Sequence, residues 1–380
     1  TFGGAVGEGS DLLSITANSG GSTVINGGSI NTTGTIDISD AITLGADTTI
    51  NSGNLFFGLT VDSDGNSTPR ALTINTGSNQ IGLLGDVGNT FALGAITLNS
   101  TGTTTLNGTI SAASLATNSG GTTQINGGTV TTTGAAGQVY GDNVTINANS
   151  IFSANTGPIS FAGTLDGFAT NWNLTLNTTG ATTFSGMVGN GVALGTLDVS
   201  GSSIKVNGGL IRTTGTQTYN DPVTINNNNA TFTSTSGDIN FTDTIDTDIA
   251  ATGSYALTLN ANDVLTLGGK IGTAPLTWGI TSLSATANTI NINGGTDISL
   301  NPTIDTLGTQ TYTGATVLGA DTVLSSLTGN VSFISDATHT STIDSDNALT
   351  PRALTVYFGN DNYFSADIGA GVPLASLTST

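Results

Sequence analysis

Hydrophobic and polar residues alternate over short runs along the whole chain. Runs such as Ile42–Leu44, Leu72–Ile74 and Leu174–Leu176 place an aliphatic residue at every second position. A period of two is typical of a β-strand that buries one face and exposes the other. Turns rich in Gly, Asn, Asp and Ser separate the runs, and we find no stripe of helical period. The pattern therefore predicts an all-β protein with many short strands.

The short runs are organised into long, imperfect tandem repeats. We define each repeat by a motif of an apolar residue, three further residues, an aliphatic residue and Gly. This repeat motif occurs at Phe2–Gly7, Leu83–Gly88, Phe184–Gly189, Leu267–Gly272 and Phe364–Gly369. The resulting repeats are 2–82, 83–183, 184–266 and 267–363, with the start of a fifth at 364–380. No linker interrupts them, so we predict that residues 1–380 form a single continuous β-solenoid.

Energetic considerations favour stacked coils over independent small domains. A coil of about 20 residues buries four to six aliphatic side chains at roughly 1.5–3 kcal/mol each, whereas ordering its backbone costs about 1–2 kcal/mol per residue. Only stacking, which adds hydrogen bonds and a shared core, makes such a coil stable. We predict a right-handed parallel β-solenoid (β-helix) of about 19 coils, forming a rod of about 90 Å. Separate β-sandwiches would need larger aromatic cores than 6% aromatic residues provide.

Each of four repeats contains an aliphatic-Asn-Gly-Gly turn. Its Asn is expected to supply left-handed turn geometry rather than ligand contacts. These turn residues are Asn26, Asn126, Asn207 and Asn293.

Some polar and aromatic residues are compatible with sugar binding. Outward threonines at Thr103–Thr105 and Thr131–Thr133 could bind ice or sugars, although Thr is also a favoured solvent-facing strand residue, which is the preferred interpretation. Aromatic side chains could stack on sugar rings or serve equally as turn or core residues. The aromatic candidates are Tyr140, Tyr219, Tyr312, Trp172 and Trp278.

Three stretches resemble the repeats of large filamentous-haemagglutinin-like surface adhesins. They are Gly215–Ile225, Gly319–Leu324 and Ala193–Val199. The resemblance implies a right-handed parallel β-helix, export by a two-partner or autotransporter route, and a role in adhesion or in a biofilm matrix. The Asn-Pro-rich motifs of that family's secretion domain are represented only by Asn301–Ile304. The chain is therefore expected to correspond to shaft repeats rather than to the secretion domain.

Composition narrows the range of partners and locations. The chain has 25 acidic and 5 basic residues, a net charge of −20, and no Cys. Nucleic acid binding requires clustered Lys and Arg, so no nucleic acid partner is expected. We find no apolar run of about 20 residues and expect no membrane insertion. Absence of Cys suits a chain exported unfolded, and we expect an extracellular, bacterial cell-surface location.

Acidic turns are the strongest candidates for ion binding. In each repeat a Thr-aliphatic-Asp sequence follows a Gly-x-aliphatic-x-Phe sequence, and in three repeats a second Asp lies two positions later. Carboxylate and amide oxygens are the ligands that Ca²⁺ prefers, but Asp also caps its own turn by hydrogen bonding. The candidate Ca²⁺ ligands are Asp62, Asp64, Asn66, Asp246, Asp248, Asp344 and Asp346.

Catalysis is the less favoured interpretation. Some parallel β-helices act on polysaccharides, and a lyase or hydrolase would use paired carboxylates such as Asp246 and Asp248. These two occupy a repeated position, and His339 is the only His, in a polar insertion. We therefore expect a non-enzymatic structural shaft of an adhesin or matrix fibre. Its expected partners are further copies, end to end or side by side, the continuation of a longer chain, and cell-surface glycans or matrix polysaccharide.

Overall fold

The computed structural model describes most of the chain as β-structure. The described residues are 1–65, 67–226, 228–248, 253–272, 279–295, 302–357 and 361–380, and none of them is helical. The chain divides into two compact units, unit 1 (Thr1–Gly186) and unit 2 (Met187–Thr380). The predicted all-β class is confirmed.

Unit 1 is built from short strands separated by tight turns. Its strands are β1 Ile15–Ala17, β2 Ser22–Ile25, β3 Ser29–Asn31, β4 Ile36–Ile38, β5 Ala41–Leu44, β6 Thr48–Asn51, β7 Leu55–Phe57, β8 Val61–Ser63, β9 Leu72–Gly77, β10 Ile81–Leu83, β11 Leu93–Ser100, β12 Thr103–Leu106, β13 Ile110–Thr117, β14 Thr122–Ile125, β15 Thr129–Thr132, β16 Gln138–Tyr140, β17 Asn143–Ile146, β18 Ser150–Ala154, β19 Ile159–Phe161, β20 Leu165–Gly167, β21 Leu174–Thr178 and β22 Ala181–Phe184.

Unit 2 has the same construction, with longer strands in its second half. Its strands are β23 Leu197–Ser200, β24 Ser203–Val206, β25 Leu210–Thr213, β26 Gln217–Tyr219, β27 Val223–Ile225, β28 Ala230–Ser234, β29 Ile239–Phe241, β30 Ile245–Thr247, β31 Tyr255–Ala261, β32 Val264–Leu267, β33 Ile280–Ile292, β34 Ile304–Thr306, β35 Gln310–Leu318, β36 Thr322–Ser326, β37 Val331–Ile334, β38 Thr342–Ser345, β39 Ala353–Tyr357, β40 Tyr363–Phe364, β41 Asp367–Ile368 and β42 Ser376–Ser379.

Strands pair in parallel with strands one coil later in the sequence. In unit 1, one ladder passes through Val6, Ile30, Ile50, Ile74, Leu98, Thr117, Tyr140, Phe161 and Phe184. In unit 2, another passes through Leu197, Gln217, Ile239, Leu265, Ile290, Thr316, Ile343 and Ile368. Parallel strands stacked coil upon coil form a β-solenoid, as predicted.

The coils are longer than the sequence analysis assumed. Successive rungs of these two ladders are 19 to 24 residues apart in unit 1 and 20 to 27 in unit 2. The ladders therefore indicate about 15 turns, and the count of about 19 is not confirmed. Right-handedness and a single column from residue 1 to 380 stay predictions.

The inward face of each strand forms the core. Ile50, Ile74 and Leu98 lie on successive coils and are completely buried. Burying such a side chain contributes roughly 1.5–3 kcal/mol, and each coil covers the next. Aromatic side chains continue the columns: the Tyr140 and Phe161 rings stack with centroids 5.0 Å apart, and the Tyr312 and Phe333 rings do so at 4.9 Å. Tyr140 and Tyr312 are thus core residues rather than exposed sugar-stacking platforms, and so is Tyr219.

The backbone conformation explains why each repeat motif ends in glycine. Gly7, Gly88, Gly189, Gly272 and Gly369 all have positive φ, between 66° and 76°. A Cβ on Gly88 would overlap the Ser111 carbonyl oxygen, and one on Gly189 would overlap that of Arg212. At the first four of these positions glycine is required because the backbone is left-handed and touches the next coil.

The Asn-Gly-Gly turns correct one expectation. The residue with positive φ is the second glycine, with φ of 73° at Gly28, 76° at Gly128 and 79° at Gly209. The left-handed geometry therefore belongs to glycine, which adopts it without the steric cost of a Cβ.

Candidate functional site

An ion pair in unit 1 links the two ends of a loop between β8 and β9. The guanidinium of Arg70 donates to Asp64 through Nε at 2.8 Å and through Nη2 at 2.9 Å. The hydroxyl of Ser63 accepts the Arg70 backbone N–H at 3.0 Å. Asp47, one coil earlier, accepts the Ala71 backbone N–H at 2.9 Å. We call this arrangement the Asp–Arg clasp.

Unit 2 contains a second Asp–Arg clasp at the equivalent place in its repeat. Arg352 donates to Asp346 through Nε at 2.8 Å and Nη2 at 3.2 Å, and its backbone N–H donates to Ser345 Oγ at 2.9 Å. Asp321 accepts the Ala353 N–H at 2.9 Å. The identical hexapeptides Thr68–Thr73 and Thr350–Thr355 thus form identical bonds.

Both clasps favour ionised carboxylates. The hydrogen bond from Arg70 holds the pKa of Asp64 below its usual value, and Arg352 does the same to the pKa of Asp346. The same bonds raise the pKa of each Arg. The clasp side chains are about one-third exposed, so solvent weakens these pairs.

Asp62 and Asp344, two more of the predicted calcium ligands, cap the turn of the following coil. Asp62 Oδ1 accepts the backbone N–H groups of Thr90 at 2.9 Å and Phe91 at 3.2 Å. Asp344 Oδ1 accepts those of Gly371 and Val372 at 2.9 and 3.0 Å. Each carboxylate therefore orients a turn 27 to 29 residues later in the sequence.

The remaining predicted calcium ligands are Asp246, Asp248 and Asn66. Asp246 lies on β30 and accepts the Thr247 backbone N–H at 2.8 Å, and Asp248 follows that strand. Asn66 lies outside the described residues. Over the part of the chain that the structure describes, no group of three or more His, Cys, Asp or Glu side chains is close enough to hold a metal.

Calcium binding stays a hypothesis with a direct test. If these acidic turns bind the ion, millimolar Ca²⁺ should raise the melting temperature relative to a chelator control, because a ligand that binds only the folded state stabilises it. Mg²⁺ at the same concentration controls for ionic strength and charge. An unchanged melting temperature in Ca²⁺ would end the hypothesis.

Buried Gln–Tyr pairs are polar features whose role the sequence analysis missed. Gln138 and Tyr140 are completely buried on β16. The Tyr140 hydroxyl donates to Gln138 Oε1 at 3.0 Å, and Gln138 Nε2 donates to the carbonyls of Val130 at 3.1 Å and Ser153 at 2.9 Å. Because Val130 and Ser153 lie on paired strands, this amide joins two coils.

The same network recurs twice in unit 2. Tyr219 donates to Gln217 at 2.8 Å, and Tyr312 donates to Gln310 at 2.9 Å. Burial raises the pKa of all three tyrosines, so they stay neutral hydrogen-bond donors. The Gln-x-Tyr tripeptide was the sequence signal for these pairs. The alternation of the strand turns its first and third residues, Gln and Tyr, toward the core.

Further carboxylates fasten the Gly-rich turns that precede β2 and β14. Asp40 accepts the Gly21 N–H at 2.9 Å, and Asp142 accepts the Gly121 N–H at 2.8 Å and the Thr123 hydroxyl at 3.0 Å. Burial raises the pKa of Asp142. Each carboxylate lies 19 to 21 residues beyond the turn it caps, a separation that only the coil register reveals.

His339 occupies an exposed loop with one acidic neighbour. Its Nδ1 lies 2.9 Å from Asp336 Oδ1, which also accepts the Thr338 backbone N–H at 2.7 Å. The Thr338 N–H, followed by the His339 ring, keeps the pKa of Asp336 below its usual value. The arrangement closes a local turn.

Comparison with models of protein families, with curated proteins and with solved structures finds no match. A search of the described residues finds no helix that is long and apolar enough to span a membrane.

Proposed function

We propose that the chain is a non-catalytic structural shaft of an adhesin or matrix fibre at a bacterial cell surface. The supporting observation is the use of its polar side chains: the clasps, caps and buried Gln–Tyr pairs all join neighbouring coils. Asp62 and Asp344, for example, accept hydrogen bonds from backbone N–H groups one coil away. Such use of carboxylates stabilises an extended scaffold and leaves them poorly placed for acid–base chemistry.

The composition of the chain bears on its export and on its partners. A chain without Cys needs no oxidising step to fold, and its net charge of −20 favours solubility. We propose that it works by self-association, end to end or side by side, or as part of a longer chain that continues the repeats.

Protease treatment and labelling of intact cells test this proposal. The chain has five Lys and Arg residues, and Arg70 and Arg352 are held in clasps. We expect antibodies to label intact producing cells or their matrix, and native protein to resist trypsin while heat-unfolded protein is digested. Labelling seen only after cell lysis, or rapid digestion of native protein, would contradict the proposal.

A further inference from the structure

Two columns of small polar side chains lie side by side on the outer surface of unit 1. The first column contains hydroxyl residues and the second contains asparagines, on the successive paired strands β3, β6, β9 and β11. The hydroxyl column is Ser29, Thr49, Thr73 and Thr97, and the amide column is Asn31, Asn51, Asn75 and Asn99. We call the eight residues the polar array.

The amide column is held rigid by its own hydrogen bonds. The Nδ2 of Asn51 donates to Asn31 Oδ1 at 2.7 Å, that of Asn75 to Asn51 at 2.8 Å, and that of Asn99 to Asn75 at 2.7 Å. An amide has two N–H donors and two acceptor lone pairs. The ladder uses one donor and one lone pair of each interior residue, Asn51 and Asn75, so one of each remains on these two rungs. On the first rung, Asn31 Nδ2 also donates to Ser29 Oγ at 3.3 Å.

The spacing of the polar array is set by the strands. Rungs repeat at about 4.8 Å along the solenoid, and the two columns are two residues apart, about 6.6 Å. Four rungs therefore span about 14 Å. All eight residues are at least partly exposed, and none is charged.

From this geometry we infer that the polar array binds a linear, neutral polysaccharide chain lying along the solenoid axis. Repeated hydroxyl groups on such a polymer complement the repeated donors and acceptors of the amide column and the hydroxyls of the adjacent column. The side chains are ordered in advance, which lowers the entropic cost of binding. The net charge of −20 disfavours acidic polymers. This binding activity is additional to the proposed structural role, and either can fail without the other.

Unit 2 provides an internal control. Its comparable hydroxyl column, Thr231, Thr258, Ser284 and Thr311, is also in register. The adjacent column consists of Thr233, Asn260, Thr286 and Thr313, so Asn260 has threonines on both sides and cannot form an amide ladder.

Affinity electrophoresis of the full chain tests the inference, with a linear neutral β-glucan, a linear neutral mannan and polygalacturonate as separate probes. We expect retardation by at least one neutral polymer and not by polygalacturonate. The double variant N51V/N75V removes two rungs while keeping strand-forming residues, so apparent affinity should fall about tenfold or more. The matched variant N260V should bind like the wild type.

The folding of each variant is checked by thermal melting. If N51V/N75V melts at a lower temperature than the wild type, the Thr73→Lys variant tests the inference instead. This substitution places a long side chain on the polar array and leaves the amide column intact. It should also weaken polysaccharide binding about tenfold or more. The inference is overturned if neither neutral polymer is bound, if only polygalacturonate is bound, or if Thr73→Lys or a normally folded N51V/N75V binds as tightly as the wild type.

Discussion

Gln138 and Tyr140 in unit 1 make the same buried hydrogen bonds as Gln217 and Tyr219 in unit 2, although the surrounding coils differ in length and sequence. The outer surfaces are less alike. Unit 1 carries an amide ladder on four successive coils, whereas the comparable strands of unit 2 present mainly threonine and serine. The comparison teaches that the interior bonds are tied to coil stacking, while the exterior is free to vary.

Substitution of a repeat-motif glycine should have the largest effect in either unit. Gly88→Ala adds a Cβ that overlaps the Ser111 carbonyl oxygen at a positive φ. Left-handed strain and overpacking together should lower the free energy of unfolding by about 2–5 kcal/mol. Gly189→Ala should behave alike in unit 2. Denaturant unfolding measures both.

Gly9→Ala is the matched control, because a Cβ there meets no atom within 4 Å. Its stability should stay within about 0.5 kcal/mol of wild type. If Gly88→Ala were as stable as Gly9→Ala, the close approach between coils would be refuted.

The buried Gln–Tyr pairs should rank second. Gln138→Leu leaves the Tyr140 hydroxyl without its partner in the core, at a cost of about 1–3 kcal/mol. Adding Tyr140→Phe removes the orphaned hydroxyl, so the double variant should be more stable than Gln138→Leu alone. Equivalent substitutions at Gln310 and Tyr312 should repeat the result in unit 2, as measured by a double-mutant cycle.

A strictly additive cycle would show that the two side chains do not interact. Equal coupling energies in unit 1 and unit 2 would support the conclusion that both units share these interior hydrogen bonds. Coupling in only one unit would restrict the conclusion to that unit.

The Asp–Arg clasps should give the smallest effect, visible through pH. Because the pKa of Asp64 and Asp346 is lower in the folded state, the clasps stabilise the fold above the unfolded pKa, and this stabilisation is lost as the pH falls through the folded pKa. Below about pH 4, the melting temperature of the wild type should fall more steeply than that of D64N/D346N.

Asp142 is present in both proteins, so its oppositely shifted pKa cancels in this comparison. Parallel pH profiles for wild type and variant would show that the clasps contribute no pH-dependent stability.

The period-two pattern predicted the strands, the recurring motifs predicted the repeats, and the weakness of single short coils predicted their stacking. None of these could give the register, because the steps of the traced ladders vary from 19 to 27 residues. Partners such as Asp62 and Thr90 are 28 residues apart, so the sequence alone suggested calcium for carboxylates that cap turns. The polar array was missed for the same reason, although the tripeptides Thr49–Asn51 and Thr73–Asn75 are identical.

The central claim is that neighbouring coils stabilise one another through a shared core and hydrogen bonds between coils. Hydrogen exchange of the native chain, followed by mass spectrometry, tests it most directly. We predict that interior strands such as β9 and β31 exchange slowly, and that β42, which is exposed along its length, exchanges faster. Exchange of β9 and β31 at the rate of an unfolded chain would contradict the account.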